Sequence, residues 1–360
     1  MKILFISRAY PPVTGGIENQ NYELSMWLPK HAETKTLANR RGKKFLPFFL
    51  PYAALRALFL MRRYDVLLLG DGVLGIVGWC VKLFYPKKTA VAIVHGLDLT
   101  FQNAFYQRFW VRAFLPSLDG LIAVGNETIR QGVARGVPEH KFTFIPNGVD
   151  TEKYFAFHTR AELETVIGLP LKNKYILLTS GRLAKRKGVA WFIRSVMPKL
   201  AENVLYVVAG DGADRKNIEQ AVRERNLSPR VKLLGRVSDE TRDALFNTCD
   251  LFIQPNIRVK GDMEGFGISV IEAASCELPV IASRLEGLQD AIENGENGFL
   301  VETENAKQYI SIITELLNDQ PRLQAFKSRV RRYVIEHYAW ENIIRLYISA
   351  LEKIAGMGHN

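Results

Sequence analysis

Hydrophobic positions in this chain fall into two recurring patterns, short unbroken apolar runs and longer amphipathic stretches between them. A short run that is apolar on every residue suits a strand buried on both faces, and a longer periodic stretch suits a helix covering it. In the first half, the runs Lys2 to Ser7, Thr34 to Ala38, Asp65 to Leu69, Ala90 to Val94, Gly120 to Val124 and Phe142 to Ile145 predict strands. In the second half they are Tyr175 to Ser180, Val204 to Ala209, Val231 to Leu234, Leu251 to Gln254, Pro279 to Ala282 and Gly298 to Val301. Two such sets predict an α/β protein of two doubly wound, Rossmann-like domains, parting in the polar stretch from Asp150 to Asn173. A final helix is expected from Trp340 to Ile354.

In open parallel sheets, ligands bind beyond the carboxyl ends of the strands, so the loops after each strand are where chemistry is expected. Gly15-Gly16 follows the first strand, His95-Gly96 the fourth and Asn147 the sixth. The basic loop Gly181-Arg182-Leu183-Ala184-Lys185-Arg186-Lys187-Gly188 follows the seventh, Gly210-Asp211-Gly212 the eighth, and Arg236-Val237 the ninth. The run Glu264-Gly265-Phe266-Gly267-Ile268 then leads into an apolar helix, Ile268 to Ser275, which carries Glu272. N–H groups opening a helix favour an anion, and Arg182 and Lys187 supply countercharge, a fork and a point charge from one loop. Lys185 and Arg186 are expected to face solvent. Glu264 and Glu272 suit hydroxyl groups on either side of that anion. A diphosphate between two hydroxylated rings, a nucleotide sugar, satisfies all of these groups.

Glu264 and Glu272 with the seven residues between them, the GRLAKRKG loop, Gly15-Gly16, His95-Gly96 and Pro146-Asn147-Gly148-Val149-Asp150 together resemble a retaining family-4 glycosyltransferase (glycosyltransferase group 1) of the GT-B fold, over nearly the whole chain. The resemblance implies two Rossmann-like domains facing each other across a cleft. It places an acceptor domain at 1–155, a nucleotide-sugar domain at 170–335 and a C-terminal helix, 336–360, returning to the first domain. It also implies roles. Glu272 would bind ribose hydroxyls, Glu264 sugar hydroxyls, and His95 the donor sugar at the reacting centre, with Asp98 orienting the ring or capping the next helix. Gly16 N–H would approach the diphosphate, Asn147 the sugar, and Gly210, Arg236 and Val237 would line the base pocket; catalysis would rest on His95, Glu264, Arg182 and Lys187. The chain departs from the family where Glu277 replaces a usual glycine and where Ser283 to Leu288 lacks paired glycines. Those departures bear on packing of the helix end and are expected to leave the phosphate site alone.

Composition narrows the partners. With 48% hydrophobic and 24% charged residues, the 360-residue chain reads as ordinary globular protein with room for two cores. Cys80, Cys249 and Cys276 are widely spaced and read as buried free thiols in a reducing compartment. The N-terminus lacks a signal-peptide core, which points to the cytoplasm. Residues 1 to 150 hold 19 Lys and Arg against 10 Asp and Glu, most of the net +11. Seven of those cations lie between Arg40 and Arg63 among Phe, Leu and Tyr, with no acidic residue. Two prolines and Arg56 make that segment a poor membrane-spanning helix, so a peripheral place on the cytoplasmic face of an anionic membrane is expected, beside an ordinary amphipathic-helix reading. The expected substrates are a nucleotide sugar and a lipid-linked or saccharide acceptor, with no nucleic acid, cofactor or metal, since no Asp-x-Asp stands in a strand-end loop. Three other readings compete. One is a UDP-sugar epimerase of the same fold and another a non-catalytic nucleotide-sugar-binding protein; the third, an NAD-dependent dehydrogenase, lacks the G-x-G-x-x-G after its first strand.

Overall fold

The computed structural model describes residues 1–13 and 15–356; Thr14 and the end of the expected C-terminal segment, 357–360, lie outside them. The chain forms two compact units, Met1–Gly148 together with the chain from Trp340 on, and Val149–Ala339. The first unit holds β1 (Lys2–Ser7), β2 (Glu33–Ala38), β3 (Val66–Leu69), β4 (Thr89–Val94), β5 (Gly120–Ala123) and β6 (Phe142–Phe144). They form one parallel sheet in the order β2-β1-β3-β4-β5-β6. The second holds β7 (Tyr175–Ser180), β8 (Val204–Ala209), β9 (Val231–Gly235), β10 (Leu251–Gln254), β11 (Val280–Ser283) and β12 (Gly298–Val301), ordered β12-β11-β10-β7-β8-β9. Its pairs are parallel as well. Central strands such as β4 and β8 are buried at every residue, as a sheet covered on both faces requires, whereas edge strand β2 is polar and partly exposed.

Each strand order reverses once, and such a switch point splays neighbouring loops apart at the carboxyl edge. In the first sheet it lies between β1 and β3, and in the second between β7 and β10. On one face of the first sheet, α1 is Gly16–Trp27; on another layer, α2 (Leu46–Leu60) and α3 (Gly75–Phe84) pack together. A π-helical segment, Gln107–Phe114, continues that second layer beside α3. Phe49, Ala53, Val77 and Val111 from these elements, with Leu115 just after the last of them, share one core with Leu4, Leu67 and Ala92 of the strands. The last helix, Trp340–Ile354, lies in the first unit, with Ile354 against Gly120 and Trp340 against Gly148.

The segment around Arg56 departs from its ordinary amphipathic reading. Phe49, Ala53, Ala57 and Leu60 are buried, but Phe48, Tyr52, Leu55 and Phe59 form a second apolar stripe that faces outward. Both stripes have helical spacing, so periodicity alone does not tell which one is core. No described helix is long and apolar enough to cross a membrane. The cysteines are free, with Cys80 only half-buried rather than buried.

Candidate active site

In the second unit the loops after β7 and β10 meet at the switch point. Gly188 takes a left-handed φ of +66°, and a Cβ there would lie 1.8 Å from the Pro255 carbonyl oxygen. Backbone therefore touches backbone, and Ile257 N–H donates to the Arg186 carbonyl at 2.8 Å. This contact brings Lys187 Nζ within 2.6 Å of Glu264 Oε2, both side chains being buried. Arg186 reaches Glu264 and Asp262 at 3.6 Å each, and Asn256 Nδ2 donates to Glu264 Oε2 at 3.2 Å. Burial opposes ionisation of Glu264, but the Lys187 and Arg186 cations outweigh it and hold the carboxyl down to about 2. Burial pulls the Lys187 ammonium below its ordinary value against the opposing pull of Glu264. The 2.6 Å contact is an ion pair.

Arg186 thus corrects the sequence expectation of a solvent-facing side chain. The stretch Lys185–Lys187 is a 3-10 turn from which Arg186 and Lys187 both reach Glu264 while Lys185 stays exposed. Arg182 is exposed at the head of the same loop. Gly210, with φ +148°, brings the loop after β8 against Gly181, because a Cβ would meet the Gly181 carbonyl oxygen at 1.9 Å. Gly210 N–H donates to the Gly235 carbonyl at 2.7 Å, which places Arg236, exposed, and Val237, half-buried, next to it. These loops belong to adjacent strands β7, β8 and β9, so Gly210, Arg236 and Val237 share one edge with Arg182.

Gly265, Phe266 and Gly267 lead into the helix Ile268–Ser275, whose first internal turn closes with Val270 N–H on the Gly267 carbonyl at 2.9 Å. The N–H groups of Ile268 and Ser269 precede that bond. Phe266 is buried and meets Tyr338 edge-on at 5.8 Å, which fixes the loop from below. Glu272, half-buried one turn into the helix, accepts from the Tyr154 hydroxyl at 3.1 Å. Burial raises its carboxyl above the ordinary range, with the Arg242 guanidinium pulling the other way. Of the two departures from the family pattern, the stretch Ser283 to Leu288 reaches the backbone of Glu264. Glu286 Oε2 accepts from the Glu264 backbone N–H at 2.6 Å, and Gly287 N–H donates to the Glu264 carbonyl at 3.1 Å.

In the first unit, Gly16 N–H is the first of α1, with Gly15 extended at its cap and Glu18 in its first turn. His95 is buried beyond β4, its Nε2 3.0 Å from the Gly70 carbonyl oxygen. Asp98 neither orients the imidazole nor caps the next helix. Its carboxylate accepts from the backbone N–H groups of His95, Gly96 and Gly72 at 2.9–3.1 Å, pinning the loop after β4 to the loop after β3. Two charged residues absent from the sequence reading stand beside it, Arg8 and Asp71, paired at 2.7 Å. Burial drives the Asp71 carboxyl upward and Asp98 adds to the push, while Arg8 opposes both. Asn147 is buried with its Oδ1 lacking a hydrogen-bond partner, and Asp150 closes a turn on the N–H groups of Glu152 and Lys153. Arg8 and Asp71 follow β1 and β3 at the switch point, so the carboxyl-edge rule alone could have singled them out.

Residues 29–153 match the Glycosyltransferase Family 4 family and residues 163–333 the Glycosyl transferases group 1 family. The GDP-mannose-dependent alpha-(1-6)-phosphatidylinositol monomannoside mannosyltransferase of Mycolicibacterium smegmatis is 23% identical over 94% of this chain and 95% of its own length. The alpha-galactosylglucosyldiacylglycerol synthase of Streptococcus pneumoniae is 26% identical over 76% of this chain and 74% of its own. An uncharacterized glycosyltransferase of Methanocaldococcus jannaschii is 29% identical over 60% of this chain, which spans only 56% of that relative. Among solved structures, Anabaena HepE in complex with UDP superposes with a TM-score of 0.78 at 20% identity, covering 98% of this chain and 100% of that one. Two six-stranded parallel sheets in this arrangement are those of the GT-B fold. The chain belongs to the family-4, group 1 glycosyltransferases.

Proposed function

We propose that this protein is a retaining, metal-independent hexosyltransferase, moving a sugar from a UDP- or GDP-linked donor to a hydroxyl of a lipid-linked saccharide or phospholipid in cell-envelope glycan synthesis. The observation that carries the reading is the meeting of Lys187, Arg186 and Glu264 beside the N-terminus of Ile268–Ser275 at the switch point of the second sheet. Arg182, Lys187 and the opening N–H groups of that helix stabilise the departing diphosphate, so developing charge meets fixed dipoles and cations. Glu264 accepts hydrogen bonds from sugar hydroxyls and Glu272 from the ribose. Gly210, Arg236 and Val237 line the base. In the first unit Gly16 N–H, His95 and Asn147 serve the diphosphate and the sugar. The acceptor hydroxyl attacks on the leaving-group side, and a departing phosphate oxygen takes its proton.

The lipid acceptor is supported by the names of relatives, which carry a phosphatidylinositol monomannoside, a galactosylglucosyldiacylglycerol and a GlcNAc-diphosphoundecaprenol. It is supported further by the outward apolar stripe of α2 with seven cations and no acid between Arg40 and Arg63, which suits peripheral binding to an anionic bilayer. Calorimetric titration with UDP, GDP and ADP, followed by transfer assays with UDP- and GDP-sugars, tests the reading. Binding of UDP or GDP, and a product whose anomeric configuration matches the donor, is expected. Interconversion of the sugar without release of nucleotide points instead to the epimerase, and silence with all three nucleotides to neither.

A further inference from the structure

A second exposed aromatic surface stands on the first unit, outside α2. Phe101, Phe105 and Phe109 are 58%, 63% and 37% exposed, on and just before the π-helical segment Gln107–Phe114. Arg108 and Arg112, both exposed, lie one turn apart among them, and no acidic residue occurs between Asp98 and Asp119. Beneath this face the segment is rigidly held. Tyr106 and Trp110 stack at 5.5 Å, Trp110 Nε1 donates to the Val73 carbonyl at 2.8 Å, and Gln107 Nε2 donates to the Leu99 carbonyl at 2.8 Å. Three phenylalanines therefore stay in water while their neighbours supply the packing. Large apolar groups exposed together on a rigid element mark a docking surface.

The chemistry of the surface selects its occupant. Tyr106 hydroxyl donates to the Asp98 carbonyl at 2.8 Å, and the Asp98 carboxylate holds the His95 and Gly96 N–H groups, so the segment is tied through one residue to the His95 loop. α2 and this segment both pack on α3 in the same layer over one face of the sheet. The outward stripe of α2 and the π-helical segment with Phe109 thus flank α3, whose Leu83 and Phe84 are exposed as well. Phenylalanines ringed by arginines and free of carboxylates complement an anionic lipid surface. A protein partner of comparable fit would have to bring its own acidic patch; a second copy of this basic face would bring more cations.

We propose that the exposed face of Phe101, Phe105 and Phe109, with Arg108 and Arg112, is a second bilayer-docking element, independent of α2, that seats the His95 loop at the surface of an anionic membrane. The proposal rests on the reading of a membrane-borne acceptor, and the experiment separates the two. The full chain and the variants Phe105→Ser/Phe109→Ser, Arg108→Gln/Arg112→Gln and Phe48→Ser/Phe59→Ser are titrated with phosphatidylcholine vesicles, with and without phosphatidylglycerol, at low and high salt. Melting temperatures and UDP or GDP binding are measured beside them; these side chains are exposed, so both should stay at the wild-type value. Loss of the two phenylalanines is expected to weaken binding to anionic vesicles roughly tenfold or more. Loss of the two arginines is expected to weaken it by roughly thirtyfold at low salt and little at high salt. Wild-type affinity in Phe105→Ser/Phe109→Ser, with binding lost in the α2 variant, overturns this proposal and leaves the membrane reading standing. Failure of the unaltered chain to bind anionic vesicles overturns both. Lipid-free self-association that Phe105→Ser/Phe109→Ser abolishes assigns the surface to a second copy instead.

Discussion

Lys187 and Glu264 answer each other in this structure, and that contact changes what a mutation there does. From the basic loop alone, Lys187→Ala is expected to leave the fold intact and weaken nucleotide diphosphate binding by about 1.5 to 3 kcal/mol, the loss of one charge-assisted bond. With Lys187 gone, however, Glu264 is left buried with a weaker partner in Arg186, and breaking a buried pair from one side costs about 3 to 5 kcal/mol. A protein stable by about 5 to 15 kcal/mol survives that with a lower melting temperature. Lys187→Ala should therefore lower both thermal stability and nucleotide affinity, and adding Glu264→Gln should recover stability but not affinity. Calorimetry on the two single variants and the double variant reads the cycle. Recovery of both, or of neither, means the pair is not the link.

The same carboxylate sets an acid limit. Its pKa is depressed from an ordinary 4.5 to about 2 in the folded protein, so the stability it contributes is fully present above the ordinary value and is lost as pH falls toward the folded one. Between pH 4.5 and 2, Glu264→Gln should flatten part of the decline in denaturation midpoint. A variant declining as steeply as wild type would mean that Glu264 is not held ionised. At this scale the sequence shows the residue types and their loops but not which cation turns inward. Arg186 turns inward because the loop after β10 packs against its backbone and brings Asp262 and Glu264 to it, a contact between segments distant in sequence that nothing in GRLAKRKG announces.

Among elements, the strands were the most legible, because short apolar runs recurring between longer amphipathic stretches are too short for buried helices. β1, β7, β8, β10 and β12 begin and end where their apolar runs do. β11 starts at Val280 rather than Pro279, since proline has no N–H to give a ladder, although its carbonyl accepts from Phe252 N–H at 2.8 Å. The π-helical segment was not legible, as its aromatic spacing fits several helical windings equally. The two departures from the family pattern show how one kind of strain is treated in two ways. Glu277 ends the helix Ile268–Ser275 at φ 60°, and Glu286 sits at φ 49°, both left-handed conformations that glycine takes freely. Glu286 is compensated by its hydrogen bond to the Glu264 N–H. We expect Glu277→Gly to stabilise the protein by roughly 1 kcal/mol, since an L residue in this region is strained by about that much. Glu286→Gly should gain nothing or lose stability, because relief of strain is offset by a freed N–H in the site loop. Chemical denaturation of both variants decides it, and equal gains would show that the Glu286 bond is idle.

For the molecule as a whole, charge decides whether the transfer needs a metal. The loop after β7 carries Arg182, Lys185, Arg186 and Lys187, and the loop after β10 opposes them with Asp262 and Glu264. With Arg258 and Lys260 of the loop after β10 counted as well, the balance is a net of four positive charges over these two loops, supplemented by the N-terminus of Ile268–Ser275. A diphosphate leaving group can be neutralised by that set without an ion of its own, provided the Lys187 to Glu264 pair opens when the donor binds. Turnover should consequently persist in excess EDTA, with the rate falling as ionic strength rises at the exposed Arg182 and Lys185 and holding better at the buried pair. Arg182→Ala should then lose rate under EDTA and in added Mg²⁺ or Mn²⁺ alike, because no ion substitutes for the arginine. Activity abolished by EDTA and restored by either ion, or an Arg182→Ala enzyme rescued by the ion, would move the charge stabilisation from these side chains to a bound metal.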